Sequence, residues 1–305
     1  MAKKKKKTKI DKYIDSLNRI DGKTVVITGS NSGIGFEIAK IALLKGAKVV
    51  MACRSKERAI LAKDKLVEIT GSNNIVIEQY DQSNIESIKT FVETIKSKYP
   101  DFYSLVLNAG IFLSEEKVDE FHVSNVYKTN YLGAYILLKQ LKGFLDDSEV
   151  ERKIIIQGSV ASFSYKYKNK DKFIYGEEKE MKQYSLSKLC ISNLYVHYRD
   201  NNINPYTKYL LCEPGAAPTN LFRNLGKWYK KITVIFLKHF CCSNLEGSLS
   251  ACKLLCDVSA NGDYYHPRGL FTIKGLPKRG IFPQKYINKR IIEDGEEIAN
   301  IYESK

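Results

Sequence analysis

Residues 24–44 read TVVITGSNSGIGFEIAKIALL. The β-branched run at residues 25–27 is typical of a buried parallel strand, and from Ile34 onward apolar residues recur at helical spacing. A turn with three glycines separates the two parts: Gly29, Gly33 and Gly35. Such a turn presents backbone N–H groups and the positive end of a helix to a phosphate, and glycine leaves room for its approach. The stretch predicts a nucleotide-binding α/β fold, although a tight turn without a ligand has the same pattern.

The composition is that of a chain able to bury a substantial core. The chain has 305 residues, 44% of them hydrophobic, which suits one large domain or two small ones. Its seven cysteines form no C-x-x-C pair, so we expect reduced thiols and a cytoplasmic location. The longest dense apolar run, Ile232–Leu237, is too short to span a bilayer. The four histidines show no ligand spacing with cysteines or acids, which predicts no metal site.

Positive charge is concentrated at the N-terminus. The formal net charge is +15, and six of the lysines that carry it lie within residues 1–9. Because this segment has almost nothing to bury, residues 1–20 are predicted to form a disordered basic tail. The tail suits a solvated extension or attraction to an anionic membrane surface. It has no interleaved aromatic residues for base stacking, so nucleic acid is not an expected partner.

The end of the second predicted strand, residues 48–53, bears on the choice of cofactor. In dinucleotide folds an acid near this position binds the ribose 2′-hydroxyl and repels a 2′-phosphate. Here Cys53 stands in place of the acid and Arg54 follows, with further basic residues at Lys56 and Arg58. These charges favour NADP(H), with NAD(H) as the alternative cofactor. A surface arginine that opens a solvated helix is the other interpretation of Arg54.

Each of the next two strands is followed by a turn whose residue types suit contact with a ligand. Strand three, residues 75–79, precedes Asp81, which suits the adenine amino group or an ordinary turn. Ser83 and Glu86 match a capping box for the helix that follows. Strand four, residues 104–107, runs into a turn whose glycine indicates close approach of a ligand or simple turn chemistry. That turn consists of Asn108, Ala109 and Gly110.

Residues 118–145 are predicted to form one helix. In its interior lie two poor helix formers, Asn130 and Gly133. The side-chain amide of Asn130 is either exposed to solvent without a role or buried, in which case it needs hydrogen-bond partners. A fifth strand, residues 154–156, is followed by Ser159. A serine at the carboxyl end of a central strand stands where α/β folds place their chemistry.

The segments after this serine complete the predicted order. Residues 165–182 are rich in lysine and tyrosine without a clear period, so they are predicted to be a surface insertion. The helix that follows carries Tyr184 and Lys188, which share one face at positions i and i+4. Taken alone, this pair is more typical of an ordinary helix surface. The last predicted strand, residues 206–211, leads to Pro214.

Four signals now lie in one order: the glycine turn, the Asn-Ala-Gly turn, Ser159, and Tyr184 with Lys188. Together they resemble the short-chain dehydrogenase/reductase family, over residues 21–283. The resemblance implies a single doubly wound (Rossmann-type) parallel sheet with helices on both faces, over residues 21–305. Four segments are similar to the retinol dehydrogenase and protochlorophyllide reductase-like branch: residues 52–54, 130–133, 214–221 and 262–265.

The residue chemistry and the resemblance together give each catalytic candidate a role. Tyr184 would give a proton to the oxyanion left by hydride transfer, and Lys188 would lower the pKa of Tyr184 and hold the nicotinamide ribose. Ser159 would hydrogen-bond the substrate oxygen, and Asn130 would organise a water between Lys188 and solvent. The implied cofactor-binding set is Gly29, Ser32, Gly33, Ile34, Gly35, Arg54, Asp81, Gln82, Asn108, Ala109, Gly110, Tyr184, Lys188, Pro214, Gly215 and Thr219.

The chain departs from the family pattern at two positions that we expect beside cofactor and substrate. Glu213 stands before Pro214 where histidine or tyrosine is common, and Tyr131 stands where many relatives carry histidine. Relatives place a substrate lid after this point, here about residues 218–245. Its apolar stretch WYKKITVIFLKHF, residues 228–240, predicts a retinoid-, steroid- or other lipid-like substrate. Peripheral membrane contact and plain core packing are the alternatives for that stretch.

The sequence thus predicts an NADP(H)-dependent oxidoreductase that transfers hydride between nicotinamide and a carbonyl or alcohol substrate. By family habit we expect a homo-oligomer. The alternative is a non-catalytic NADP(H)-binding regulator or scaffold. The retained Ser159, Tyr184 and Lys188 argue against it, because a pure sensor needs no proton donor. A nucleic-acid-binding function rests only on the basic tail.

Overall fold

The computed structural model describes residues 7–168, 170–216 and 242–304 of the chain. Within them, eight strands form one sheet in the order β3-β2-β1-β4-β5-β6-β7-β8. Neighbouring strands are parallel except for β8, which runs antiparallel to β7 at the edge. The strands are β1 Thr24–Thr28, β2 Lys48–Cys53, β3 Ile75–Gln79, β4 Ser104–Leu107, β5 Arg152–Gln157, β6 Thr207–Cys212, β7 Tyr264–Pro267 and β8 Pro277–Gly280.

Helices cover both faces of the sheet. Apart from the three-residue helix Asn125–Tyr127, they are α1 Lys9–Ser16, α2 Gly33–Leu44, α3 Lys56–Thr70, α4 Ile85–Lys98, α5 Gly133–Asp146, α6 Lys170–Ile174, α7 Glu180–Asp200, α8 Asn244–Cys256 and α9 Arg290–Glu303. One apolar cluster joins α1, α2, α3 and α8 to one face, and a second joins the other helices to the opposite face. The predicted doubly wound sheet is confirmed. Across the part of the chain described, no helix is both long enough and apolar enough to cross a membrane.

The strand order brings the carboxyl ends of the central strands to one crevice. β1 pairs with β2 on one side and β4 on the other, so that Val26 lies opposite both Val50 and Leu105. All three side chains are fully buried, as expected for parallel strands covered on both faces. β2 and β3 are added on one side of β1, and β4 and the later strands are added on the other side. Open α/β sheets bind their ligands at such a switch point.

The N-terminal segment contains a helix, so the disorder predicted through residue 20 is wrong for this part. Thr8 opens α1 with a capping box. At the other end of α1, the Lys45 side chain donates to the Leu17 carbonyl oxygen at 2.7 Å, and Leu17 is buried. The basic composition hid an amphipathic helix, whose apolar side chains pack against the cluster that contains residues of α2 and α8. Residues 1–6 lie outside the described residues.

The single helix predicted over residues 118–145 is wrong at its start, where the first seven residues are not helical. The helical part then passes through a π-helical turn, Lys128–Leu132, before it continues as α5. Gly133 is the first residue of α5, and the loop before α4 lies directly against it. A Cβ at this position would overlap the Gln82 carbonyl oxygen. The poor helix formers therefore mark an altered helical turn and a close backbone contact.

The structure corrects three smaller predictions. Asn84 rather than Ser83 caps α4, because its side chain accepts a hydrogen bond from the Ser87 amide at 2.9 Å. The predicted surface insertion, residues 165–182, contains α6, whose Phe173 is fully buried. The last predicted strand, β6, is followed by β7 and β8.

Beyond β6, the two residues that flank positions 217–241 meet. The Cys242 amide donates to the Ala216 carbonyl oxygen at 2.9 Å, and the Ala216 amide donates to the Ile273 carbonyl oxygen at 2.9 Å. Gly215 has φ +79°, and a Cβ there would overlap the Ile273 oxygen, so the contact requires glycine. Most of the predicted lid falls at positions 217–241, outside the described residues.

Candidate active site

The carboxyl ends of the central strands surround one cavity of about 560 Å³. Most of the residues predicted to bind a cofactor line it: Gly29, Ser32, Gly33, Ile34, Gly35, Arg54, Asp81, Gln82, Asn108, Ala109, Gly110, Tyr184, Lys188 and Pro214. Gly215 does not line the cavity but fixes the loop behind Pro214. Thr219 and residues 228–240 lie outside the described residues.

The glycine turn is shaped to receive a phosphate-bearing group. Gly29 and Gly33 have φ values of +67° and +61°, which residues with a side chain rarely adopt. A Cβ at Gly35 would lie 2.6 Å from the Gly29 oxygen, so α2 starts in direct contact with the turn. The space next to Gly33 is open, and the Ser32 hydroxyl makes no capping hydrogen bond to α2. The helix end therefore fits the diphosphate of a dinucleotide.

A row of hydrogen bonds that the sequence analysis missed joins four strand ends. The Thr28 hydroxyl accepts from the amides of Asn108 and Ala109 at 3.0 and 2.9 Å. The Asn108 oxygen accepts from the Gln157 side chain at 2.9 Å, and the Cys212 thiol lies 3.8 Å from the Gln157 oxygen. This row holds the Asn-Ala-Gly turn against the glycine turn. Its signal in the sequence is a polar residue or cysteine at or just after the end of each apolar strand.

Basic residues line the cavity near the end of β2. Arg54 and Arg58 both line it and are exposed. Cys53 is buried beside them, with its thiol 3.6 Å from the Ser30 hydroxyl, and burial raises the pKa of that thiol. The side chain that replaces the expected acid is thus neutral. Asp81 also lines the cavity, and its carboxylate accepts from the backbone of its own turn at 2.9 Å.

Tyr184 lies beside Ser159 at the other end of the cavity. Burial raises the pKa of Tyr184, and its hydrogen bond with Ser159 opposes that rise. The Ser159 hydroxyl also accepts from the Ala161 amide at 3.2 Å, at the start of a short 3₁₀ turn. The Phe112 ring lies 5.1 Å from the Tyr184 ring and forms an apolar wall. Burial is the larger of these two influences on the pKa of Tyr184, and the predicted lowering by Lys188 stays a prediction.

Lys188 and Asn130 converge on the Asn-Ala-Gly turn. The Lys188 ammonium donates to the Gln157 carbonyl oxygen at 3.3 Å, and burial lowers its pKa to about 8. At pH 7 the charged form of Lys188 therefore still predominates. A Cβ at Gly110 would lie 3.0 Å from the Asn130 side-chain oxygen and 3.4 Å from the Lys188 nitrogen. The two side chains thus both lie next to the space that glycine leaves.

Asn130 is held by bonds to both ends of its amide. Its oxygen accepts from the Ile111 amide at 2.7 Å, and its nitrogen donates to the Ile111 carbonyl oxygen at 2.8 Å and the Ser187 hydroxyl at 2.9 Å. Asn130 makes these contacts from within the π-helical turn. The amide that looked unfavourable in a helix is therefore buried and fully used, beside the cavity. The predicted water between Lys188 and solvent stays a prediction.

The two departures from the family pattern lie away from the cavity surface. Tyr131 is fully buried, and its hydroxyl donates to the Ile291 carbonyl oxygen of α9 at 2.9 Å. Its expected place beside cofactor and substrate is wrong, because this side chain packs under the C-terminal helix. Glu213 is also fully buried, and within the described residues neither carboxylate oxygen has a hydrogen-bond partner. Burial raises the pKa of Glu213 to about 8.

The sheet and its glycine turn define a dinucleotide-binding protein. The sequence profile of the short chain dehydrogenase family matches residues 23–229. The chain therefore belongs to the short-chain dehydrogenase family, whose members are oxidoreductases that act on CH-OH and C=O groups with NAD(P). The predicted family resemblance is confirmed.

Three similar proteins are named as oxidoreductases or dehydrogenases. A WW domain-containing oxidoreductase of Gallus gallus is 32% identical over 178 residues, which are 56% of this chain and 43% of that protein. The chloroplastic short-chain dehydrogenase TIC 32 B of Brassica napus is 29% identical over 70% of each chain. Retinol dehydrogenase 14 of Mus musculus is 26% identical over 79% of this chain and 75% of its own. The chain thus spans less than half of the first relative and most of the other two.

Solved structures agree with the fold. An uncharacterised protein from Mycobacterium paratuberculosis superimposes with a TM-score of 0.73 at 18% identity, over 94% of this chain and 97% of its own. The 3-ketoacyl-(acyl-carrier-protein) reductase from Brucella melitensis, in complex with NADH, gives 0.62 at 20% identity, over 80% and 96%. The NADP complex of RhlG from Pseudomonas aeruginosa gives 0.63 at 18% identity, over 81% and 94%. At these identities the likeness shows the fold alone.

Proposed function

We propose that the protein is an NADP(H)-dependent oxidoreductase that interconverts a carbonyl and an alcohol on an apolar substrate. One observation carries the proposal: Tyr184, bonded to Ser159, shares a cavity with Lys188 and the glycine turn. The turn and the start of α2 would hold the cofactor diphosphate. When bound, the cofactor supplies the hydride for reduction or accepts it in the reverse direction.

The side chains of the cavity supply the proton that the reduction needs. Because burial raises the pKa of Tyr184, its hydroxyl carries a proton at neutral pH and can donate it to a substrate oxygen. The Ser159 hydroxyl would hold that oxygen against Tyr184. The charged Lys188 would stabilise the phenolate left behind, in a site where burial strengthens the attraction. Asn130 would order the route by which the proton is replaced.

The preference for NADP(H) is supported by the charges at the end of β2. Arg54 and Arg58 line the cavity and are exposed, so that either guanidinium would be within reach of a 2′-phosphate bound there. The buried, neutral Cys53 neither repels that phosphate nor accepts a hydrogen bond from a 2′-hydroxyl as a carboxylate would. The planar guanidinium of Arg54 suits bidentate contact with a phosphate. The solved relatives include both an NADP and an NADH complex, so the support comes from these residues.

An apolar substrate is supported by the wall next to Tyr184. Phe112 and Leu113 both line the cavity, and the Phe112 ring contacts the Tyr184 ring. Such a wall favours a substrate whose apolar part adjoins the reacting carbonyl. The name of the mouse relative, a retinol dehydrogenase, is in line with this class.

The proposal is tested with NADPH and a panel of aldehydes of increasing chain length, one retinoid aldehyde and one steroid ketone. Oxidation of the reduced nicotinamide is followed by its absorbance. We expect kcat/KM to rise with the apolar area of the substrate. Binding of NADPH without turnover of any panel member would favour the regulator or scaffold instead.

The role of Tyr184 is tested with Tyr184→Phe, which removes one oxygen and little volume. We expect turnover to fall by about 10²–10⁴-fold, as for other lost acid–base groups, while NADPH binding measured by fluorescence persists. Near-normal turnover in this variant would exclude the proposed proton donor.

A further inference from the structure

The C-terminal segment, residues 284–304, lies outside the residues that match the family profile. It consists of a 3₁₀ turn, Gln284–Tyr286, followed by α9. Among its hydrogen bonds are contacts with three elements of the chain that are far apart in sequence. Each of these elements carries one or two of the catalytic candidates.

The first contact reaches the turn after Ser159. The Tyr286 hydroxyl donates to the Phe163 carbonyl oxygen at 2.8 Å, and the two rings lie 4.9 Å apart. Phe163 is the last residue of the short 3₁₀ turn that begins directly after Ser159. The Ser159 hydroxyl caps one end of this turn, and Tyr286 holds the other end.

The second contact reaches α7 just beyond Lys188. The Asn193 side chain accepts from the Asn288 amide at 2.8 Å and donates to the Tyr286 carbonyl oxygen at 3.1 Å. Asn193 is buried and lies five positions after Lys188, less than two turns along the helix. Its amide therefore fixes the helix of Tyr184 and Lys188 to the backbone of the C-terminal segment.

The third contact reaches the π-helical turn at the residue next to Asn130. Tyr131 donates to the Ile291 carbonyl oxygen at 2.9 Å. Gly295 of α9 lies on the Tyr131 side chain so closely that a Cβ would overlap its hydroxyl and approach two ring carbons to 2.9 and 3.0 Å. The helix thus packs on Tyr131 without room for a methyl group.

We propose that residues 284–304 act as a clamp that positions Ser159, Asn130 and the helix of Tyr184 and Lys188 relative to one another. Tyr286, Asn193 and Tyr131 are the positioning residues. Acid–base catalysis depends on alignment, and a displacement of about 1 Å at a site can cost about 10²-fold in rate. The clamp bears on catalysis only if the proposed function holds, so its test includes a measurement that needs no turnover.

The first test compares two tyrosines that make the same kind of bond. Tyr286→Phe removes the bond to Phe163, and Tyr103→Phe removes a bond of 3.3 Å to the Leu255 carbonyl oxygen, in the apolar cluster on the opposite face of the sheet. We expect Tyr286→Phe to lower kcat about tenfold, with KM and NADPH affinity nearly unchanged. The control should keep kcat within about twofold, although both lower the melting temperature. Equal kcat in the two variants would overturn the clamp.

The second test uses Gly295→Ala, whose methyl group presses on Tyr131. The Ile111 amide donates to the Asn130 oxygen, so its hydrogen exchange reports the position of Asn130 in the protein without substrate. We expect exchange at Ile111 to quicken about fivefold, and to recover in part in Gly295→Ala/Tyr131→Phe, which removes the overlapping hydroxyl. Unchanged exchange in Gly295→Ala would overturn the clamp. Normal turnover in Tyr184→Phe would instead overturn the proposed function and leave the exchange result standing.

Discussion

Glu213→Gln tests the buried acid at the end of β6. Glu213 precedes Pro214, which lines the cavity, and it is fully buried. The nearby Tyr264 hydroxyl opposes the rise in the pKa of Glu213. Burial raises the pKa from 4.5 to about 8. The folded protein therefore holds this carboxyl neutral at pH 7, and glutamine reproduces the neutral shape without the ability to ionise.

The size of the effect follows from proton linkage. Folding stability contributed by the retained proton is fully present below pH 4.5 and is lost as pH rises through about 8, because only the unfolded chain releases the proton easily. The shift of 8 − 4.5 = 3.5 units, at 1.36 kcal/mol per unit, gives a loss of about 5 kcal/mol as an upper value. Glu213→Gln should abolish this loss.

The assay is urea unfolding at intervals from pH 5 to pH 9. Relative to wild type, the free energy of unfolding of Glu213→Gln should rise by about 1 kcal/mol per pH unit and level off above pH 8. Glu68→Gln, at an exposed position on α3, is the control and should follow wild type throughout. Parallel curves for Glu213→Gln and wild type would refute the neutral carboxyl.

Three further predictions concern the cofactor and the N-terminal helix. Arg54→Ala should weaken NADPH binding about tenfold in calorimetric titrations and leave NADH nearly unchanged, and Cys53→Asp should move the preference further toward NADH. Equal weakening of both cofactors by Arg54→Ala would contradict the assigned phosphate contact. Gly35→Ala should abolish NADPH binding because its methyl group would meet the Gly29 oxygen at 2.6 Å, and tight binding in that variant would show that the turn adapts. Lys45→Met should lower the free energy of unfolding by about 1–3 kcal/mol, because it removes the donor to the last carbonyls of α1. Unfolding curves that coincide with wild type would show that this cap contributes nothing.

The elements that the sequence predicted well are those with a local cause. Strands β2, β3 and β4 begin and end at the predicted residues, because each is a short apolar run bounded by turn residues. The glycine turn was recognisable because its backbone conformations exclude most other residues. Many of the predicted cofactor-binding residues line one cavity. Their motifs follow the ends of strands, and a parallel sheet brings those ends together.

The predictions that failed depend on contacts between distant segments. Tyr131 follows Asn130 directly, yet α9 buries it from a position 160 residues further along the chain. Residue 133 has no room for a side chain because the Gln82 backbone lies against it. The sequence around neither residue shows this contact. Residues 9–16 form a helix because α2 and α8 offer an apolar surface, which composition alone does not show. Sequence periodicity cannot encode such partners.

The hydrogen bond between Ala216 and Cys242 has a consequence for how the sheet and its strand ends tolerate a change in chain length between these two residues. The two residues that flank positions 217–241 are therefore held within one hydrogen bond of each other, and Ala216 is held in turn by Ile273. The entropic cost of joining the two ends of a flexible segment changes only slowly with its length. A change in the number of residues between Ala216 and Cys242 should therefore leave the contact of Ala216 with Ile273 and the register of the strand ends in place.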